Sequence, residues 1–93
     1  MIRQSKKYIA IPPGETIKEC LEYRGISYLR FAEKTELPLK NVFSILEGEQ
    51  KITVDIADRL ERFFGISHGF WLRLEAIYRE SLELVEEENA NGK

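Results

Sequence analysis

Residues 27–48 read SYLRFAEKTELPLKNVFSILEG, and this segment decides the fold of the chain. Ser27 is a favourable N-cap and predicts the start of a short helix. The sequence Thr35-Glu36-Leu37-Pro38 predicts a tight turn, after which Pro38 suits the first turn of a second helix. Gly48 stands where a left-handed C-terminal cap would close that helix. Apolar residues at helical spacing support both helices: Leu29, Phe31 and Ala32 in the first, and Val42, Ile45 and Leu46 in the second.

Three further helices are predicted around this pair. One runs from about Glu15 to Tyr23, after the proline pair Pro12-Pro13. Thr53 caps the next, which Gly65 closes, and Ser67 caps a longer final helix. Their apolar stripes are Ile17, Leu21 and Ile26; Ile56, Ala57, Leu60, Phe63 and Phe64; and Phe70, Trp71, Leu74, Ile77, Tyr78, Leu82 and Val85. The sequence therefore predicts an all-α, five-helix fold with a longer C-terminal helix.

The length of 93 residues predicts one domain over 1–93. Residues 1–11 begin basic and end in a β-prone run, which predicts an N-terminal arm or edge strand. Residues 86–93 predict an acidic tail that frays into solvent.

The composition is typical of a folded, water-soluble chain, since 43% of the residues are hydrophobic and 32% are charged. No apolar run is long enough to span a membrane, and the start lacks the apolar core of a signal peptide, so we expect a cytoplasmic location and no membrane partner.

The net charge of −2 is unevenly distributed. From Glu75 onward six acidic and two basic residues carry −4, whereas the remainder, with twelve basic and ten acidic residues, carries +2. A mildly basic body is a weak indication of nucleic-acid binding.

Catalytic and metal-binding signatures are absent from the sequence. Cys20 is the only cysteine and lies in an apolar helical pattern, which indicates a core position. His68 is the only histidine, too few for a zinc ligand set, and is interpreted as a polar residue at a helix start. There is no metalloprotease motif, phosphate loop or nucleophile with a plausible base. We expect neither an enzyme, a metal nor a cofactor, and no small-molecule substrate.

Two short helices joined by a tight turn are typical of a helix-turn-helix, whose second helix enters the DNA major groove. Specific sequence segments extend this pattern over Ile11 to Tyr78: PGE at 13–15, EG-x-x-x-IT at 47–53, A-x-RLERFFG ending at Gly65, and FWLRLEAIY from Phe70. In these segments the chain resembles the HigA family of plasmid-maintenance antitoxins, within the wider Xre-like class. The resemblance implies a lambda-repressor-like domain, a homodimer, repression of its own toxin–antitoxin operon, and neutralisation of a HigB-type, mRNA-cleaving toxin.

The resemblance also implies a DNA site on the helix at 38–47. Lys40 can pair with guanine or phosphate and Asn41 with adenine, whereas Leu39 and Phe43 can only contact thymine methyl groups or sugars. Tyr28, Arg30 and Lys51 are expected to contact the DNA backbone. The predicted DNA-binding set is Tyr28, Arg30, Leu39, Lys40, Asn41, Phe43, Ser44 and Lys51.

A protein-binding adaptor with the same fold is the alternative, and a free-standing repressor with no toxin is a third variant that shares the fold and the DNA site. Where the family pattern favours small polar residues and an arginine, this chain has Leu39 and Phe43, which form an apolar patch for a protein partner in that interpretation. Acidic residues lie close to them in sequence: Glu36, Glu47 and Glu49.

The apolar stripe of the final helix predicts the dimer contact. Leu74, Ile77, Tyr78 and Leu82 lie too far along it to be covered by four short helices. A second copy of the same helix would cover them through an isologous, two-fold interface.

Overall fold

The computed structural model describes residues 2–91 and confirms the predicted five-helix, all-α class. In this part of the chain, a two-stranded antiparallel sheet precedes the helices, with Arg3 opposite Ala10 and Gln4 opposite Ile9. None of the helices within 2–91 is long and apolar enough to cross a membrane. The elements are β1 (Arg3–Gln4), β2 (Ile9–Ala10), α1 (Pro13–Arg24), α2 (Tyr28–Thr35), α3 (Leu39–Leu46), α4 (Val54–Phe64) and α5 (His68–Asn91).

The helix boundaries follow from local capping. Ser27 Oγ accepts a hydrogen bond from the Arg30 amide at 3.1 Å, and Thr53 Oγ1 accepts one from the Ile56 amide at 3.3 Å. These bonds satisfy amides that have no partner within the first turn of a helix. The predicted glycine caps are confirmed, because each one follows its helix in the left-handed conformation: Gly25, Gly48 and Gly65.

The core forms where all five helices meet. Trp71 is fully buried and its Nε1 donates to the carbonyl oxygen of Ile66 at 3.2 Å. The place of Phe70 in the same apolar stripe predicts a core position beside Trp71, but Phe70 is exposed, with its ring edge-on to that of Trp71. Cys20 packs against the core, as expected. The buried members are Ile17, Leu21, Phe31, Ala32, Val42, Ile45, Leu46, Ile52, Ile56, Ala57, Leu60, Phe64 and Trp71.

Two glycines allow backbones to approach closely around α3. A Cβ on Gly14 would lie 2.5 Å from the carbonyl carbon of Leu46, so α1 meets the end of α3 only because residue 14 has no side chain. Gly48 has φ 80°, and a Cβ there would lie 2.8 Å from Cβ of Pro12 and 2.9 Å from the Tyr78 hydroxyl. The PGE and EG segments thus have a steric role in the fold.

The N-terminal hairpin covers the second half of α5, which corrects the reasoning behind the dimer contact. Ala10, Tyr78 and Val85 form a second buried cluster, with Leu82 packed against it. Tyr78 is only 4% exposed, so this side of α5 is covered by the same chain and needs no second copy. Sequence reasoning counted only helices as possible cover and therefore missed the hairpin.

The predicted frayed tail is also wrong over most of its length. α5 continues to Asn91, and Glu88 accepts a hydrogen bond from the Lys7 amide at 2.9 Å. At 1.5 Å per residue, its 24 residues span about 36 Å. Residues 92 and 93 lie outside the described residues.

Candidate nucleic-acid interface

The turn between α2 and α3 orients the second helix. Glu36 adopts the left-handed conformation, with φ 59°, and Leu37 donates its amide to the Ala32 carbonyl at 3.0 Å. Arg59, a residue of α4, donates from Nη1 to the Thr35 carbonyl at 2.6 Å. This carbonyl at the end of α2 therefore has a hydrogen-bond partner. The arrangement is a Schellman-type cap, and it lets the chain reverse and enter α3 after Pro38.

Burial divides the surface of α3 into an inner and an outer side. Val42, Ile45 and Leu46 face the core, so at 3.6 residues per turn the outermost positions are Lys40, Ser44 and Glu47. Phe43 and Leu39 lie on one flank of this outer side, and Asn41 lies on the other. Lys40, Leu39 and Phe43 are exposed, and Asn41 and Ser44 are half-buried.

Tyr28 and Phe43 form an aromatic pair across α2 and α3. Their ring centroids lie 5.8 Å apart with the planes at 83°, an edge-to-face arrangement. Tyr28 begins α2, so the pair joins the start of that helix to the middle of α3. The structure therefore brings Tyr28 together with Phe43, one of the predicted DNA-binding residues of α3.

Lys18 is a cation at this surface that sequence reasoning missed. Its Nζ lies 3.2 Å from Glu15 Oε2 and 3.7 Å from Glu47 Oε1. Partial burial disfavours its charge, but the hydrogen bond to Glu15 and the two carboxylates outweigh this effect and raise the pKa of Lys18 above 10.5. The (i, i+3) spacing from Glu15 indicates one of these pairs, whereas the contact with α3 has no signal in the sequence.

The remaining predicted backbone contacts lie on α2 and on the loop after α3. Arg30 and Lys51 are exposed. Within residues 2–91, neither of these side chains nor that of Lys40 forms an ion pair, which leaves their charges available to phosphates.

A buried carboxylate that sequence reasoning also missed holds the loop that carries Lys51. Glu75 accepts the Ile52 amide at 3.0 Å and also accepts from Arg79 Nε. Arg79 Nη2 donates to the Gly48 carbonyl at 3.1 Å. In the sequence, the (i, i+4) spacing of Glu75 and Arg79 within an apolar stripe indicates that these two residues form an ion pair. Their contacts with the loop after α3 have no signal in the sequence and are seen only in the structure.

Comparison with known proteins gives three informative similarities, although no family model matches the sequence. The chain is 31% identical over 80 residues to Virulence-associated protein I of Dichelobacter nodosus, covering 85% of the chain and 72% of that relative. It superposes on an addiction module antidote protein of a HigA family from Coxiella burnetii with a TM-score of 0.76 and 32% identity, covering 88% and 89% of the two chains.

The third similarity is to a structure solved with DNA. It contains the Pseudomonas aeruginosa antitoxin HigA with the higBA promoter, and the TM-score is 0.72 at 32% identity, with 89% and 87% of the chains covered. Identity above 30% over nearly the whole of both chains, together with a shared fold, shows that this chain belongs to the HigA family of antidote proteins with a helix-turn-helix domain.

Proposed function

We propose that this chain is an antitoxin and autorepressor that binds operator DNA as a dimer and neutralises a HigB-type, mRNA-cleaving toxin. The main observation behind this proposal is the orientation of α3: its inner side is buried in the core, while Lys40 and its neighbours face outward. The relative from Pseudomonas aeruginosa, which shares this fold, was solved with promoter DNA. A repressor of this kind works in the cytoplasm.

In this proposal α3 reads the major groove and its surroundings hold the phosphates. Lys40 pairs with guanine or phosphate, and Asn41 hydrogen-bonds adenine. Arg30, Lys51 and the Tyr28 hydroxyl contact the backbone, which sets the register without reading sequence.

The proposed dimer contact keeps Leu74 and Ile77 of the predicted set and leaves out Tyr78 and Leu82, which pack against the hairpin. Ile77 is 53% exposed and borders an apolar cleft of about 300 Å³ that also involves Ile9 and Ile11. Ile77 belongs to one continuous stripe along α5, in which successive residues are alternately four and three positions apart: Phe70, Leu74, Ile77, Ser81 and Leu84. Packing two such stripes about a two-fold axis would bury the exposed apolar groups and place two α3 helices on one DNA duplex.

The DNA-binding test uses the DNA upstream of the gene for this chain. Fluorescence anisotropy compares that duplex with a scrambled duplex over a salt series, for the wild type and for a Lys40→Ala, Asn41→Ala variant. We expect specific binding that weakens with salt and is lost in the variant, because phosphate neutralisation releases counterions and these two side chains supply readout. Lys6→Ala, which removes a cation from the hairpin turn, is the control and should retain specificity.

Equal, weak binding to both duplexes would overturn the repressor proposal. The exposed side chains of Tyr28, Leu39 and Phe43 would then favour the second candidate, a protein-binding adaptor.

Toxin neutralisation is tested separately from DNA binding. Co-expression with the toxin encoded beside this chain should restore cell growth, and the purified chain should abolish mRNA cleavage by the purified toxin. Continued cleavage at a molar excess of the chain would contradict this part of the proposal.

A further inference from the structure

An apolar edge lies beside Lys40 on the outer side of α3. We define it as Tyr28, Leu39 and Phe43, whose side chains are 38%, 37% and 46% exposed. Leu39 and Phe43 are four residues apart and lie about 40° from each other around the helix axis. The Phe43 ring is held edge-on against Tyr28. The edge is therefore a defined surface rather than a set of scattered apolar residues.

The edge is not a part of the core that happens to be incompletely covered. The helix already buries Val42, Ile45 and Leu46 on its inner side. Leu39 is the first residue of α3, and the N-terminal residues of a recognition helix are those that contact base edges. Leu39 is exposed and begins α3, so the edge lies at the part of the helix where a base would be contacted.

The charge beside the edge favours DNA over a protein as the occupant. Lys40 and Glu47 lie on the same outer side, about 60° and 40° from Phe43 around the axis. Lys18 Nζ lies 3.7 Å from the Glu47 carboxylate and offsets its charge, so the charge of Lys40 remains beside the edge. Of the groups that base pairs present in the major groove, the C5 methyl of thymine is apolar, while guanine and adenine offer acceptors beside it. A cation next to an apolar edge thus matches a thymine adjacent to a purine or a phosphate.

We propose that the apolar edge reads thymine methyl groups, with Phe43 and Leu39 as the contacting side chains and Tyr28 as the residue that positions the Phe43 ring. This inference rests on the proposed operator binding and names the chemistry on which its specificity depends. Hydrophobic contact supplies part of the readout, in addition to the polar contacts of Lys40 and Asn41.

Replacing thymine by uracil tests this directly, because uracil pairs identically and lacks only the C5 methyl group. Anisotropy is measured on the shortest upstream duplex that retains specific binding, with thymine or with uracil throughout. Each methyl group in contact should contribute about fourfold in affinity. The slope of affinity against salt should stay the same, since phosphate contacts are unaltered.

Three variants assign the effect to the edge. Phe43→Ala and Leu39→Ala should each reduce the ratio of thymine to uracil affinity. Lys40→Ala should weaken binding to both duplexes and keep the ratio. Tyr23→Ala removes an exposed aromatic side chain of α1 that belongs neither to the edge nor to the proposed dimer stripe, and should leave the affinity for both duplexes unchanged. Circular dichroism and the Tm of each variant verify folding.

The outcomes separate this inference from the proposed function. Specific binding that is equal on thymine and uracil duplexes would overturn the inference and leave operator binding in place. A ratio unchanged in both Phe43→Ala and Leu39→Ala would also overturn it. No salt-dependent, specific binding of the wild type to the thymine duplex would overturn both, and pull-down with the edge variants would then ask whether a protein occupies the edge.

Discussion

At the scale of single residues, Gly14 sets the distance between α1 and α3. Gly14→Ala should lower the free energy of unfolding by roughly 1–3 kcal/mol, because the new Cβ would overlap the backbone of Leu46. Urea denaturation measures this. Gly69→Ala is the matched control, since its Cβ would meet only Ser67 Oγ at 3.6 Å and alanine favours a helix. Equal stability of the two variants would contradict the steric role of Gly14.

Glu36 carries backbone strain at the turn that orients α3. Glu36→Gly should raise the free energy of unfolding by about 0.5–1 kcal/mol, because glycine adopts the left-handed conformation without the steric penalty of a Cβ. Glu36→Gln removes the charge but keeps the strain, and should leave the stability nearly unchanged. A stabilising effect of Glu36→Gln as large as that of Glu36→Gly would assign the effect to charge instead.

At the scale of elements, Glu88 links α5 to the hairpin in a pH-dependent way. Hydrogen bonds from the Ser5 side chain and the Lys7 amide lower the pKa of Glu88 below its ordinary value of 4.5. The contact is therefore fully present above that value and is lost as the pH falls through the lower pKa of the folded state. An NMR titration should show the Lys7 amide shifting with a midpoint below 4.5, and Glu88→Gln should abolish that transition.

The His68 amide provides an internal control for this titration. It donates to Glu61 Oε1 at 2.6 Å, and this backbone hydrogen bond and the His68 side chain lower the pKa of Glu61. Its titration should be the same in Glu88→Gln. A Lys7 amide that still titrates below 4.5 in the variant would show that another group governs the hairpin contact.

The end of α3 combines a carboxylate on its outer side with a neutralised cation. Glu47→Gln should raise DNA affinity about two- to fivefold, because it removes repulsion from phosphates and frees Lys18 from one of its carboxylate neighbours. The salt slope should steepen by up to about 0.9 if Lys18 then contacts one more phosphate. Anisotropy measures both. Glu83→Gln on α5 makes the same change in net charge and should have little effect.

Reduced affinity of Glu47→Gln would contradict this account of repulsion. It would indicate instead that Glu47 accepts a hydrogen bond from a base such as cytosine.

At the scale of the whole molecule, we propose that the exposed stripe of α5 sets the oligomeric state. Ile77→Glu should shift the proposed dimer towards monomer and weaken operator binding, because two buried carboxylates would face each other across the two-fold axis. Sedimentation velocity measures the first effect. Tyr23→Glu changes a 93% exposed residue of α1 and is expected to preserve the dimer. A dimer that survives Ile77→Glu would show that another surface carries the contact.

Sequence reasoning succeeded where the signals are local. Ser27 and Thr53 cap their helices through amides three residues away, and glycine closes helices where the chain must turn left-handed. The tight turn at 35–38 was predicted from the sequence, but the left-handed conformation of Glu36 within it has no such signal, since glutamate rarely adopts that conformation. Two-residue strands are too short for a periodic pattern, so the hairpin could not be distinguished from an arm.

The sequence by itself determined the five helices, the helix pair at 27–48 and the residues that α3 turns outward, because capping and periodicity act over a few residues. Only the tertiary structure decided which stripe of α5 is covered, that Lys18 meets Glu47, and that α5 continues past residue 86. These features depend on contacts between distant residues, such as Lys7 and Glu88, which are 81 positions apart. Local preferences carry no information about such pairs, since packing of the whole chain brings them together.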